Sequence, residues 1–298
     1  MLVTVGSLAF DDITTPFGKA TRAIGGSATY FSLAASLFTK VGVIASVGTD
    51  FPQEQLQVMR QRGIDTSGVI TTRDKTLHWS GYYEYDMNEA HTKSIDLGPY
   101  ANFVPTVPEA YATAEYVFLA NIDPKMQLQV LAGIKHPKLV AVDTMNFYIE
   151  KDPQAVKDVI RKVDIFFCNE WEARELFQTP NLVKAGKEAL ALGARWAVIK
   201  KGEHGVLLLS KDSIVSLPGY PLENVVDPTG AGDSFAGGFM GYLASTGDLS
   251  EAGIRRAAVH GTAVASFTAE GLATKRISEL TNAEVDQRIA ALKQLVHF

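Results

Sequence analysis

The stretch from Val225 to Phe239 reads VVDPTGAGDSFAGGF, and its residue types and spacing can do chemistry. Two valines end an apolar run, Pro228 stops it, and Gly230 and Gly232 bracket Ala231 just before Asp233 and a long small-residue helix. Amides at a helix N-terminus lack partners inside the helix and face the positive end of its dipole, so Gly230, Ala231 and Gly232 can cradle an anion. Glycine lets the backbone approach closely because no Cβ intervenes. A carboxylate such as Asp233 is out of place beside a bound phosphate unless it has work there. The obvious work is to take a proton from a hydroxyl that attacks phosphorus. An ordinary helix with Asp233 favoured in its first turn by the dipole would also produce a bare GxGD.

Such a loop needs a frame. LVTVGSL at residues 2–8 is a short strand, with Asp11 and Asp12 just beyond it. Open α/β sheets bind ligands at that end of their strands. Residues 12–24 do not read as a helix, whereas Gly25–Gly26 opens an apolar helix, SATYFSLAASLF, which carries Tyr30. KVGVIASVGTD is a second strand and PQEQLQVMRQRG an amphipathic helix. From residue 116, YVFLANI, KLVAVDTM, DIFFCNE and RWAVIKKG alternate with helical stretches. Parallel strands need crossover connections, so this alternation predicts an α/β fold with a mostly parallel central sheet flanked by helices. Polar groups gather at the strand ends: Asn121 and Asp123, Asp143 and Asn146, Asn169 and Glu172, Lys200 and Lys201. Asn169 and Glu172 lie three apart at a helix start, where they can face one hydrated magnesium ion. The aromatic, β-prone block around residues 69–97, including Trp79, Tyr82 and Tyr83, breaks this rhythm and suggests a small accessory sheet.

The whole chain has 298 residues, a net charge of −5 and a pI of about 5.7, the opposite of a nucleic-acid binder's basic footprint. No apolar run approaches the roughly 20 residues that span a bilayer, and the N-terminus lacks a basic leader, so the expected location is the cytoplasm. One cysteine, Cys168, excludes an internal disulfide and a cysteine metal cluster. GxxxxGK[ST], an early GxGxxG, HExxH and GxSxG are all missing, which removes P-loop, dinucleotide, zincin and serine-hydrolase readings.

DPTGAGDSFAGGF resembles the C-terminal signature of the PfkB (ribokinase-like) family of carbohydrate and nucleoside kinases. The resemblance implies a ribokinase-like three-layer sandwich over residues 1–298, with a small β-sheet lid drawn from about 10–24 and 69–100. It implies ATP as phosphoryl donor, Mg2+ as its partner, Asp233 as base and Gly230 to Gly232 as the anion hole. Asp11, in a GSxxxD spacing, matches the aspartate that holds sugar hydroxyls, and Gly25–Gly26 the pair that packs close to substrate. Asn169 and Glu172 match the NxxE motif tied to magnesium through water. Gly202 and Gly205 match the turn that faces the nucleotide, although hairpin geometry alone would explain them. Lys200 and Thr229 fall on the same ATP side. Asp227 and Thr229, facing Ala269 to Ala273, match a loop that can hold K+. The family often dimerises through the lid, which makes a homodimer one expectation.

One departure bears on the acceptor: Tyr30 stands where the family usually has an asparagine. A phenol fills space and offers one hydroxyl where an amide offers donor and acceptor; it serves equally as a substrate contact or a core aromatic. The expected activity is transfer of the γ-phosphoryl group to a sugar or sugar-like hydroxyl. A nucleoside or cyclitol acceptor is the alternative, and a silent sensor of the same fold, whose mark would be a lost base or glycine, the minor one.

Overall fold

In the computed structural model, which describes residues 1–297, runs such as Leu2–Val5, Tyr116–Leu119 and Leu139–Val142 are buried along their whole length, as interior parallel strands require. The first part of the chain forms β1 (Leu2–Val5), β2 (Ala9–Thr15), β3 (Gly18–Gly25), α1 (Ser27–Ala35), β4 (Val41–Gly48), α2 (Gln53–Gln61), β5 (Ile64–Thr72), β6 (His78–Tyr83) and β7 (Ala90–Asp96). Then follow β8 (Tyr116–Leu119), α3 (Pro124–Ala132), β9 (Leu139–Val142), α4 (Asn146–Lys151), α5 (Pro153–Ile160), β10 (Ile165–Asn169), α6 (Glu170–Phe177) and α7 (Leu182–Leu192). The chain closes with β11 (Trp196–Lys200), β12 (Val206–Leu209), β13 (Ile214–Leu217), α8 (Ala231–Thr246), α9 (Glu251–Ala269), α10 (Lys275–Glu279) and α11 (Asn282–Leu295).

Nine strands form the large sheet in the order β13-β12-β11-β10-β9-β8-β1-β4-β5. Every neighbouring pair from β11 to β5 is parallel, while β12 runs against both its neighbours. The chain leaves β1 toward β4 on one side and returns to β8 on the other, so the strand order reverses at β1. Crevices for ligands open at such reversals. Side chains alternate between two cores: Phe118 and Phe167 point into the layer of α1, α8, α9 and α11, and Val117 and Phe166 into the layer of α3 to α7. Phe31 stacks on Phe118 at 4.1 Å, and Phe167 meets the edge of Phe239 at 5.1 Å, which docks α1 and α8 against the sheet.

The smaller sheet has the order β3-β2-β6-β7, with β2 and β6 parallel. Its boundaries differ from the expected ones. Residues 69–72 belong to β5, because they pair in register with Ala45 to Gly48 on the edge of the large sheet. After Asp96 the chain leaves the small sheet as well. Tyr100 is a buried clamp between β1 and β4: its hydroxyl donates to Gly6 O at 2.9 Å and accepts from Ser46 N at 3.1 Å. Cys168 is buried in the core. No helix among the described residues is long and apolar enough to cross a membrane.

Candidate active site

The anion loop is set by one backbone angle. Gly230 has φ 75° and is the N-cap of α8, with no side-chain cap. A Cβ at this position would stand 2.3 Å from Tyr30 Cγ, so the ring of Tyr30 lies directly against the loop. Ala231 N–H turns back to Pro228 O at 3.0 Å, while no backbone acceptor takes the N–H groups of Gly230 and Gly232 among the described residues. Two of the three expected amides are therefore left without a backbone partner, and the third tightens the turn. Asp233 sits half-buried in the first turn. Burial pushes its carboxyl up to about 8, with the Asp143 carboxylate adding and Lys200 opposing.

On the acceptor side, Asp11 is 4 % exposed and lies so close over Gly25 that a Cβ there would meet Oδ2 at 1.8 Å. Burial raises it to about 7 against the pull of the Gly26 N–H. Gly26, at φ 93°, starts α1 and is docked on the end of β1 by Ser27 N–H to Ser7 Oγ at 3.0 Å. Tyr30 is fully buried and its hydroxyl has no hydrogen-bond partner among the described residues; burial first and Asp11 second push it well above its ordinary value. Of its two expected roles, the packing one is visible in its contact with Gly230.

The lid faces this side. Asp11 pairs with Trp79 and Ile13 with Gly81 in the parallel β2–β6 ladder, so these residues share the inner face. The Trp79 ring lies flat across Gly81, where a Cβ would come within 2.2 Å of it, and Nε1–H donates to Thr92 Oγ1 at 3.0 Å. Tyr83, on the same face, is hydrogen-bonded to Thr229 Oγ1 at 3.2 Å, and Thr15 Oγ1 donates to Val226 O at 3.2 Å. The lid is thereby tied to the anion loop of its own chain. At its tip, Asn88 packs on Gly202: a Cβ at Gly202 would stand 2.1 Å from Oδ1.

On the opposite side, Gly202 and Gly205 form the tight turn between β11 and β12 with φ 54° and 83°. Lys200, expected on the ATP side, is partly buried, its side chain 16 % exposed. Its Nζ is 2.5 Å from Asp143 Oδ2 and 3.2 Å from where a Cβ of Gly232 would stand. Burial alone would lower this lysine; Asp143 and then Glu172 more than reverse that.

Asn169 and Glu172 form a reciprocal cap on α6. Asn169 Oδ1 accepts from Glu172 N–H at 2.8 Å and Glu172 Oε2 from Asn169 N–H at 2.6 Å. The three-residue spacing is thus used locally, and it leaves Glu172 Oε1 for other work. Burial lifts Glu172 to about 8, with Lys200 opposing. Asp227 is fully buried, and both its oxygens are spoken for: Oδ1 accepts from Thr229 N–H at 2.9 Å, Oδ2 from Ala273 N–H at 2.8 Å. It ties the loop to the segment after α9.

Asp11, Asp233, Lys200 and Glu172 thus share one electrostatic neighbourhood, whereas Gly202 meets the lid tip at Asn88 and Gly205 packs on Leu217 and Gly219. Asp143 is the member that sequence reasoning named without a role. The reciprocal cap was signalled by the pattern Asn-x-x-Glu itself.

The pfkB family carbohydrate kinase profile matches residues 4–278. A cytidine kinase of Thermococcus kodakarensis is 34% identical over 248 residues, covering 81% of this chain and 88% of that protein. A nucleoside kinase of Methanothermobacter thermautotrophicus is 26% identical, covering 92% and 91%. A solved ribokinase from Giardia lamblia superposes with a TM-score of 0.80 at 20% identity, over 97% and 99% of the two chains. The helix-flanked parallel sheet and these matches make one statement: the chain belongs to the pfkB family of carbohydrate kinases, ATP-dependent phosphotransferases that act on hydroxyl groups.

Proposed function

We propose that the acceptor is a nucleoside, with cytidine the first candidate, and that the γ-phosphoryl group of ATP passes to a hydroxyl of its ribose. The observation that carries this reading is the pairing of Asp11 with Trp79 on the inner face of the lid. A carboxylate suited to sugar hydroxyls then stands beside a half-exposed indole whose flat face can stack on a base. The 34% identity to a cytidine kinase points the same way.

In this reading Asp11, with Gly25 and Gly26 beneath it, orients the ribose, and Tyr30 supports the loop from below. Asp233 accepts the proton of the attacking hydroxyl, and the amides of Gly230 and Gly232 stabilise charge on the moving phosphoryl group. Lys200, Gly202, Gly205 and Thr229 line the donor side. No group of three His, Cys, Asp or Glu among the described residues makes a metal cage. Asn169 and Glu172, the latter with one oxygen outside the cap, would hold through water a magnesium ion brought by the nucleotide, and that ion would neutralise phosphate charge. Asp227 ties the anion loop to the segment after α9, and no step is assigned to potassium. The lid closes over its own chain's loop, so this reading needs no second copy.

The test is an acceptor screen with Mg-ATP, following ADP release with cytidine, adenosine, inosine, ribose, fructose and myo-inositol. The nucleosides are expected to show the highest kcat/KM. Ribose or myo-inositol outrunning every nucleoside would overturn the proposal.

A further inference from the structure

Lys200 and Asp143 end two strands, β11 and β9, that are separated in the sheet by β10. Strands two apart lie about 10 Å from each other, so Lys200 must extend across β10 to reach its partner. It does so at 2.5 Å, with Asp143 buried and the lysine side chain 16 % exposed, while Asp143 Oδ1 is itself fixed by Thr144 N–H at 3.0 Å. The extended lysine brings its ammonium to 3.2 Å from the Cβ position of Gly232, at the mouth of α8. That is a poor place for a cation, because the N-terminal end of a helix is positive. A buried ion pair also gains little over an apolar one. Neither cost has a purpose until an anion enters the loop.

We infer that Asp143 is a positioning residue that holds Lys200 across β10 so that its ammonium meets the transferring phosphoryl group in the cradle of Gly230 and Gly232. An ammonium has three donors; Asp143 takes one and leaves the others for phosphoryl oxygens. Asp143 also decides a competition. Glu172 attracts the same lysine, and the bond to Asp143 is what keeps its ammonium at the loop. The inference rests on the reading of the 230–232 loop as the phosphoryl site.

It is tested on the full-length chain by calorimetry with ADP and with the non-hydrolysable analogue AMP-PNP, each with Mg2+. Wild type should bind AMP-PNP in preference to ADP. Lys200→Met should weaken AMP-PNP by about tenfold or more, the effect of one charge-assisted hydrogen bond, and leave ADP within about twofold. Asp143→Asn should lose in the same selective way, Asp143→Glu should recover part of it, and the double variant Asp143→Asn, Lys200→Met should be no worse than Lys200→Met alone. Should the asparagine variant fail to fold, Asp143→Ser serves for the same comparison. If an Asp143 variant keeps the wild-type preference, or if the two losses multiply, the inference is wrong. A wild-type chain that binds the two nucleotides equally overturns the phosphoryl site, and the inference with it.

Discussion

With Asp233 as the proposed base, its half-buried carboxyl, pushed up to about 8, sets how the enzyme should respond to pH. A base must be ionised to accept a proton, and kcat/KM reports the ionisation of the free enzyme. With a pKa of about 8, roughly a tenth of the molecules carry the ionised base at pH 7 and about a hundredth at pH 6. Steady-state assays from pH 5.5 to 9.5 should therefore show kcat/KM rising about tenfold per unit and levelling above pH 8. A wild-type limb at the ordinary carboxylate value near pH 4 would refute the argument. The same groups set a stability trend. Asp11, Glu172 and Asp233 all have raised values, so their contribution is complete below the ordinary carboxylate range and lost as pH rises through about 7 to 8. Melting of the ligand-free protein should shift to lower temperature between pH 6 and 9, less steeply for Asp233→Asn.

Three substitutions probe the rest of the site. Gly230→Ala forces a side chain into φ 75° and against the Tyr30 ring, and should cost about 2–4 kcal/mol by thermal or urea unfolding along with most of the turnover; an unchanged Tm would refute the contact. Trp79→Ala should raise KM for a nucleoside about tenfold while KM for ATP stays within twofold, since one base stack contributes about 1–3 kcal/mol. Asp227→Ala should destabilise the chain by about 2–3 kcal/mol through two orphaned amides, checked by denaturant titration with and without added K+.

The loop was legible in sequence because proline and paired glycines specify a backbone path locally, and Asp233 follows at a fixed offset. Asp11 was legible for the same reason, as a carboxylate just past the first strand. Asp143 was not. It resembled every other polar strand end, and its partner lies 57 residues away on a strand that is not its neighbour. Residues 69–72 looked like lid because their composition is β-prone in either sheet; pairing with β4, a non-local choice, put them at the edge of the large one. Tyr30 could be read either way, since nothing in a one-dimensional pattern tells that its ring would lie against a glycine two hundred residues on. The cap of Asn169 and Glu172 is the reverse case: Asn-x-x-Glu is also the local pattern of a reciprocal helix cap, which three-residue spacing alone specifies.

One comparison bears on the whole account: turnover of Asp233→Asn against wild type, with Mg-ATP and the best acceptor at pH 8. A fall of about 10² to 10⁴-fold in kcat, with AMP-PNP affinity nearly intact, is the expected result. Turnover close to wild type would contradict it.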